Sequence, residues 1–186
     1  MKRLFIAFKL SLDTEYIELA AALRRRTSYD SMTWVEQELH HCTLRFLGKT
    51  PDSQIAPLVE IMETVCASVA PFEMTINRLG LFGSRYAPKV LWLGFEEQPN
   101  FFSLYQDLES RLIACGFPAN EGNFVPHLTL ARIRMIQNKK RFTQLIEESQ
   151  PLHRQKIAVS EIILFQSRLE KEGPIYIELA KCALRG

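Results

Sequence analysis

The sequence has few of the features that mark membrane, disulfide-bonded or nucleotide-cofactor proteins. It contains no run of about 18 or more consecutive apolar residues, so we expect no membrane-spanning helix. Its four cysteines are scattered and form no C-x-x-C pair, which indicates reduced thiols and predicts a cytoplasmic protein. It also has no G-x-S-x-G, P-loop or dinucleotide-binding glycine pattern, which removes the commonest hydrolase and nucleotide-binding signatures.

Charge is also weakly informative. The net charge of +2 is too small to indicate nucleic-acid binding by itself, and each local basic cluster is most simply a solvated face. These clusters are 24–26, Arg132 with Arg134, and 139–141. The start, MKRLFIAFKLSLDTEY, is interrupted by Lys9 and soon becomes acidic, so we expect a first strand there and not a signal peptide.

The chain repeats itself. His41 and His127 each begin an H-x-T-L pattern, and they lie 86 positions apart. Other segments match at similar offsets: LFIAFK at 4–9 with VLWLGF at 90–95, and LFGSR at 81–85 with LFQSR at 164–168. The repeat predicts one bilobal domain over 1–186, built from an internal duplication of approximately 1–95 and 90–186.

Hydrophobic periodicity places helices and strands in alternation. The predicted helices are 12–26, 53–69, 99–115 and 138–149. The predicted strands are 2–9, 39–47, 72–82, 88–95, 125–134, 155–166 and 174–181. This order predicts an α+β fold of two pseudo-twofold-related lobes, each an antiparallel-rich sheet covered by helices, with a central cleft.

Strand alternation brings the repeated polar residues together. In each motif the histidine and the threonine share one face, while the residues between them face the helix-covered core. We therefore expect His41, Thr43, His127 and Thr129 to converge on the cleft between the lobes. Two histidines can remove one proton and deliver another, and threonine hydroxyls can donate hydrogen bonds to phosphoryl oxygens. The set is suited to in-line displacement at phosphorus.

Two other interpretations were weighed. A single histidine on a half-buried strand is usually structural, but its repetition with threonine favours function. A zinc site would need a third ligand, and the nearest preceding acids, Glu38 and Glu121, lie at unequal spacings from the motif histidines. We therefore expect no metal. His40 has no counterpart in the second motif and His153 is predicted to lie in a loop, so both are interpreted as non-catalytic.

The segments HCTLRFLG at 41–48 and PHLTLAR at 126–132 resemble the two signature motifs of the 2H phosphoesterases. The similarity covers essentially the whole chain and is closest to the RNA 2′,3′-cyclic phosphodiesterase family, formerly called 2′-5′ RNA ligase. It implies an enzyme without metal or cofactor that opens 2′,3′-cyclic phosphate ends of RNA to 2′-phosphates. Weak 2′-5′ RNA ligase activity would be the reverse reaction.

The resemblance also implies roles for individual residues. His41 would be the proton donor and His127 the base that accepts a proton from water, while Thr43 and Thr129 would hold the phosphate. Arg132 matches a family arginine that contacts the substrate.

The arginines near the motifs raise a question of strand register. Strict alternation places Arg132 on the face opposite His127, so its role requires a bulge or a reach around the strand end. Arg45 has the parity to line the cleft, and Cys42, which replaces a commoner leucine, is expected in the core.

Two further functions stay open at this point. One is a 2H phosphodiesterase that acts on a small nucleotide, such as a cyclic phosphate derived from ADP-ribose or a 2′-5′ oligoadenylate. The other is a non-catalytic RNA-end binding protein, although intact histidine and threonine in both motifs favour catalysis. We expect a monomer with RNA as its partner and no membrane association.

Overall fold

A computed structural model describes residues 1–84, 86–120, 122–150, 152–171 and 173–186 of the chain. Its helices are α1 (Thr14–Arg26), α2 (Ile55–Ala67), α3 (Pro99–Ala114) and α4 (Lys139–Glu148). Its strands are β1 (Lys2–Lys9), β2 (Ser31–Trp34), β3 (His41–Thr50), β4 (Phe72–Ser84), β5 (Ala87–Phe95), β6 (His127–Met135), β7 (Gln155–Val159), β8 (Glu161–Glu170) and β9 (Gly173–Ala183). The described part of the chain contains no helix long and apolar enough to cross a membrane.

Local sequence signals account for the helix starts. The Asp13 side chain accepts a hydrogen bond from the backbone N–H of Tyr16 and begins α1, and Asn138 caps α4 in the same way. Pro99 occupies the first turn of α3, where its missing N–H leaves no helical hydrogen bond unmade. All four predicted helices are therefore present, with ends that differ from the prediction by two residues or fewer.

The strands form antiparallel pairs in the order β7-β4-β5-β6-β3-β1-β8-β9, and β2 pairs with the free part of β6. The strands form two lobes. Lobe one contains β1, β3, β8 and β9, and lobe two contains β2, β4, β5, β6 and β7. They meet where β3 lies beside β6. Counted outward from that seam, β1 and β5 occupy equivalent positions, as do β8 and β4. These are the strand pairs that the sequence matches, and the two-lobed α+β prediction is confirmed.

Two strand predictions were wrong. The segment 155–166 is two strands: β7 pairs with β4 in lobe two, and β8 pairs with β1 in lobe one. The buried positions change phase at Ser160, but no glycine or proline marks the change of partner. The short strand β2 was missed because its four residues carry little apolar signal. Each lobe therefore draws strands from both ends of the sequence, and the duplication itself remains a proposal.

The helices cover one face of the strands and leave the other face for the cleft. Helix α3 buries Phe101, Leu104, Leu108 and Leu112, which recur at helical spacing, each at 1% exposure or less. They belong to one large apolar cluster that continues through both lobes. A separate small cluster on the opposite face of lobe one contains Phe5, Ala7, Ile163 and Phe165, with Tyr176 packed against it. Burial of the first cluster fixes which strand face lines the cleft.

Candidate active site

The two H-x-T-L segments lie side by side at the seam between the lobes. Cys42 pairs with Leu128 across antiparallel β3 and β6, and both side chains are fully buried on the helix side. Because residue numbers run in opposite directions along such a pair, each motif's histidine lies opposite the other motif's threonine. His41 is therefore opposite Thr129, and Thr43 is opposite His127.

A single cleft receives these four side chains. Its volume is about 1140 Å³, slightly above the usual range of small-molecule sites. Its wall contains every residue predicted for the site: His41, Thr43, His127, Thr129 and Arg132. The two histidines are diagonal neighbours across the strand pair, which places their Cα atoms about 7–8 Å apart. This spacing lets both imidazoles reach the same small group.

The two imidazoles are held in the same way. Nδ1 of His41 lies 2.7 Å from the carbonyl oxygen of Leu39, and Nδ1 of His127 lies 2.8 Å from that of Val125. A carbonyl accepts, so Nδ1 carries the proton in both rings and Nε2 has the lone pair when the ring is neutral. Each histidine is thus bonded to the backbone two residues earlier, and Nε2 is left for chemistry.

Aromatic rings pack against both histidines. The His41 ring lies 5.2 Å from those of Phe5 and Tyr176, edge-on to the latter. The His127 ring is perpendicular to Phe82 at 4.7 Å and lies 6.3 Å from Trp92. These contacts fix the ring planes and reduce the water around each imidazole.

A bulge in β6 turns Arg132 toward the cleft. The pairing of β5 with β6 shifts by one residue, because Leu91 pairs with Ala131 but Trp92 pairs with Thr129. Leu130 and Ala131 are consequently both buried, and the next residue, Arg132, returns to the face of the histidines. The bulge that this arginine required is present.

The family follows from this arrangement and from its repetition. The model of the LigT like phosphoesterase family matches residues 11–92 and again residues 93–176, and each match contains one H-x-T-L motif. The chain belongs to the LigT-like phosphoesterase family.

Named relatives are similar along most of the chain. An RNA 2′,3′-cyclic phosphodiesterase of Geobacillus stearothermophilus is 34% identical over 98% of this chain and 57% of its own length. This chain thus spans little more than half of that relative. A protein of the same name from Thermotoga maritima is 35% identical over 83% of this chain and 80% of its own. A Thermus thermophilus crystal structure matches with a TM-score of 0.75 and 25% identity, covering 99% of this chain and 98% of that one.

The same bulge occurs in the first motif of this LigT-like chain, and it overturns the expectation for Arg45. Ile6 pairs with Arg45 but Ala7 pairs with Thr43, so Leu44 and Arg45 are both buried. Arg45 points away from the cleft and is only 3% exposed. Strict alternation placed Arg45 in the cleft, and the extra residue reverses that placement.

The buried arginine instead joins two segments of the fold. Its Nη1 donates to Glu109 Oε1 at 2.9 Å, and Nη2 donates to the carbonyl oxygen of Pro118. The same Glu109 oxygen accepts the backbone N–H of Asn120 at 2.9 Å. Arg45 therefore connects β3 to α3 and to the loop that leads toward β6.

The bulge also gives the LigT-like cleft an asymmetric wall. Phe46 stands five residues after His41, as Arg132 stands five residues after His127, and its ring is 58% exposed in the cleft wall. The sequence contains the signal for this substitution, because the segments HCTLRF and HLTLAR align residue by residue. Phe46, Tyr176 and Arg3 line the cleft but were not predicted as site residues.

The pKa values of both histidines are lowered. Burial is the main cause for each, and the positive charge of Arg132 acts in the same direction on both. His127 further lowers the pKa of His41. The neutral imidazole is therefore favoured in the empty cleft, a state suited to a base. A nearby phosphate would favour the protonated state that an acid requires.

Other candidate groups lie outside this site. His40 is buried and faces away from the cleft, and His153 lies near Asp13, with its Nε2 3.0 Å from a carboxylate oxygen. Glu38 is exposed in a short 3₁₀ turn before β3, not on the strand itself, and Glu121 lies outside the described residues. The described ranges contain no group of three or more His, Cys, Asp or Glu side chains arranged to hold a metal ion.

Proposed function

We propose that this chain is an RNA 2′,3′-cyclic phosphodiesterase that hydrolyses terminal 2′,3′-cyclic phosphates to 2′-phosphates. One observation carries the proposal: two imidazoles, each bonded through Nδ1 to the backbone, share one cleft with two threonine hydroxyls. The names of the relatives from Geobacillus stearothermophilus and Thermotoga maritima support the substrate.

In the proposed reaction, His127 and His41 work on opposite sides of the phosphorus. Nε2 of neutral His127 accepts a proton from water as the water oxygen bonds to phosphorus. The bond from phosphorus to the 3′ oxygen breaks, and Nε2 of protonated His41 donates its proton to that oxygen. The 2′ oxygen keeps the phosphate. One proton is taken from water and one is delivered, so the two histidines exchange protonation states in each turnover.

The remaining polar groups of the cleft act on the phosphoryl oxygens. Thr43 and Thr129 lie opposite His127 and His41, so their hydroxyls can donate to the two non-bridging oxygens. Arg132 supplies a positive charge that the bulge directs into the same cleft. These groups hold the phosphate and stabilise its developing charge.

No metal takes part in this mechanism, since protons and hydrogen bonds perform every step. Turnover should continue in excess chelator. Loss of activity in EDTA with recovery on adding zinc or manganese would instead make the histidines metal ligands.

One assay separates this function from its two competitors. Adenosine 2′,3′-cyclic phosphate and a cyclic-phosphate RNA oligonucleotide are incubated with the protein, and the products are identified by ³¹P NMR. We expect the 2′-phosphate alone. A 3′-phosphate would mean that the other oxygen leaves, and absence of turnover with retained binding would indicate an RNA-end binding protein. Turnover confined to small nucleotides would favour the small-nucleotide phosphodiesterase. A cytoplasmic location, a monomeric state and weak ligase activity stay predictions.

A further inference from the structure

The two lobes offer different surfaces to a bound nucleotide. On lobe one the cleft wall contains the rings of Phe5, Phe46 and Tyr176. On lobe two, Phe82 and Trp92 pack against His127 but are not among the described residues that line the cleft. Accessible aromatic surface next to the histidines is therefore concentrated on the side of His41.

The proposed chemistry places the nucleoside on that side. The leaving 3′ oxygen belongs to the ribose, and it must lie near the acid, His41. The attacking water must lie on the opposite side of phosphorus, near His127. The ribose and its base therefore extend over lobe one, where the ring of Phe46 is 58% exposed and free to stack on a base.

Beyond these aromatic rings the wall of lobe one carries a second cationic position. Arg3 lies two residues along β1 from Phe5, roughly 7 Å away. It is level with Ser167 of β8, which in turn pairs with Tyr176 of β9, and all three line the cleft. The wall thus presents, in order from His41, an aromatic surface and then a guanidinium beside a hydroxyl.

The charge of Arg3 is available for a ligand. Of the three arginines in the cleft wall, Arg24 is paired with Glu36 at 3.6 Å. Arg3 and Arg132 have no carboxylate partner within the portion of the chain that the structure describes. Both are close enough to Tyr176 to oppose the rise in its pKa that burial causes. Tyr176 therefore lies near two unpaired guanidinium groups, one from each lobe.

We propose that Phe46 stacks on the 3′-terminal base and that Arg3 binds the phosphodiester on the 5′ side of that nucleotide. The preferred substrate is then an oligonucleotide end and not a mononucleotide. This inference rests on the proposed function, because the direction of the nucleoside follows from His41 as the acid. A phosphate one nucleoside away from the scissile group meets Arg3, and guanidinium binds phosphate well.

The test compares a dinucleotide that ends in a 2′,3′-cyclic phosphate with the matching mononucleoside 2′,3′-cyclic phosphate. Wild type should show the higher kcat/KM with the dinucleotide. Arg3→Gln should reduce the ratio of the two kcat/KM values by about ten- to a hundredfold, as expected for losing charge-assisted hydrogen bonds. Phe46→Ala should reduce kcat/KM for both substrates. Arg25→Gln, an exposed arginine outside the cleft, controls for net charge.

The outcomes separate the two proposals. If wild type turns over neither compound, the proposed function is wrong. The Arg3 proposal is then decided by calorimetric binding of the 2′-phosphate products, in which only wild type and Arg25→Gln should prefer the dinucleotide. If wild type is active but Arg3→Gln keeps the wild-type ratio, or lowers both substrates equally, Arg3 does not bind the upstream phosphate. Rising salt should weaken the dinucleotide preference of wild type.

Discussion

Cys42 and Leu128 pair across the seam between the lobes, and each immediately follows a motif histidine. This one pairing sets both histidines and both threonines on the opposite, cleft-facing side of their strands. The site therefore depends on the register of two strands from distant parts of the chain. The predictions below test the groups that this register brings together.

The threonines should contribute to rate more than to stability. Thr43→Val and Thr129→Val remove a hydroxyl that is proposed to bind a non-bridging oxygen, so kcat should fall by about 10²–10³-fold. Thr64→Val is the matched control, because its hydroxyl is exposed and bonds only to the carbonyl of Glu60. Steady-state kinetics with a cyclic-phosphate nucleotide measure the effect. Unchanged kcat in both cleft variants would remove the threonines from the mechanism.

Arg132 should set the pH dependence as well as bind substrate. Burial and Arg132 both lower the pKa of each cleft histidine, so both should titrate below the ordinary value of about 6.5. Arg132→Gln removes one of these causes, and the imidazole titrations should move upward in pH. NMR of the imidazole protons measures them, with Arg25→Gln as control. Identical titrations in Arg132→Gln and wild type would place the guanidinium away from the histidines.

The same shifts predict how stability depends on pH. A histidine whose pKa is lower in the folded state than in the unfolded state binds protons more weakly when folded. The unfolded state therefore takes up more protons below about pH 6.5, and the free energy of unfolding should decrease as pH falls from there toward the folded pKa values. Replacing both His41 and His127 by Gln should flatten this part of the curve in urea unfolding. An equally steep curve would assign the pH dependence to other groups.

Arg45 should be a stability residue and not a cleft residue. Removing one partner of a buried ion pair leaves the other charge uncompensated, so Arg45→Met should cost about 3–5 kcal/mol in free energy of unfolding. The double variant Arg45→Met with Glu109→Gln should lose less. Arg111→Met breaks an exposed ion pair with Asp107 and should cost under about 1 kcal/mol. Equal losses for Arg45→Met and Arg111→Met in urea unfolding would contradict the buried pair.

Much of the site was predictable because it depends on local alternation. The H-x-T-L repeat places histidine and threonine on one strand face, and the structure brings all four to one cleft. The reversal of Arg45 was not predictable from parity, because a bulge adds a residue without any glycine or proline to mark it. Even so, the requirement that Arg132 needs a bulge came from the same reasoning.

Long-range pairing explains the remaining errors. The chain changes sheet partners at Ser160, and only the spatial positions of β1 and β4 decide that change. Tyr176 contacts His41 because β9 joins lobe one through β8, a connection that no local pattern encodes. Phe46 and Arg3 were visible in the sequence, but their place in the cleft depends on the bulge and on strand order.

The most direct test of the mechanism is the kcat of His41→Ala and His127→Ala on a 2′,3′-cyclic phosphate substrate, measured on folded protein. Each variant should lose at least about a hundredfold, and the double variant should be little worse than either single, since the two histidines act as one unit. Wild type should show a bell-shaped pH profile, and His153→Ala, outside the cleft, should keep wild-type kcat. Wild-type kcat in either cleft variant would contradict two-histidine acid–base catalysis.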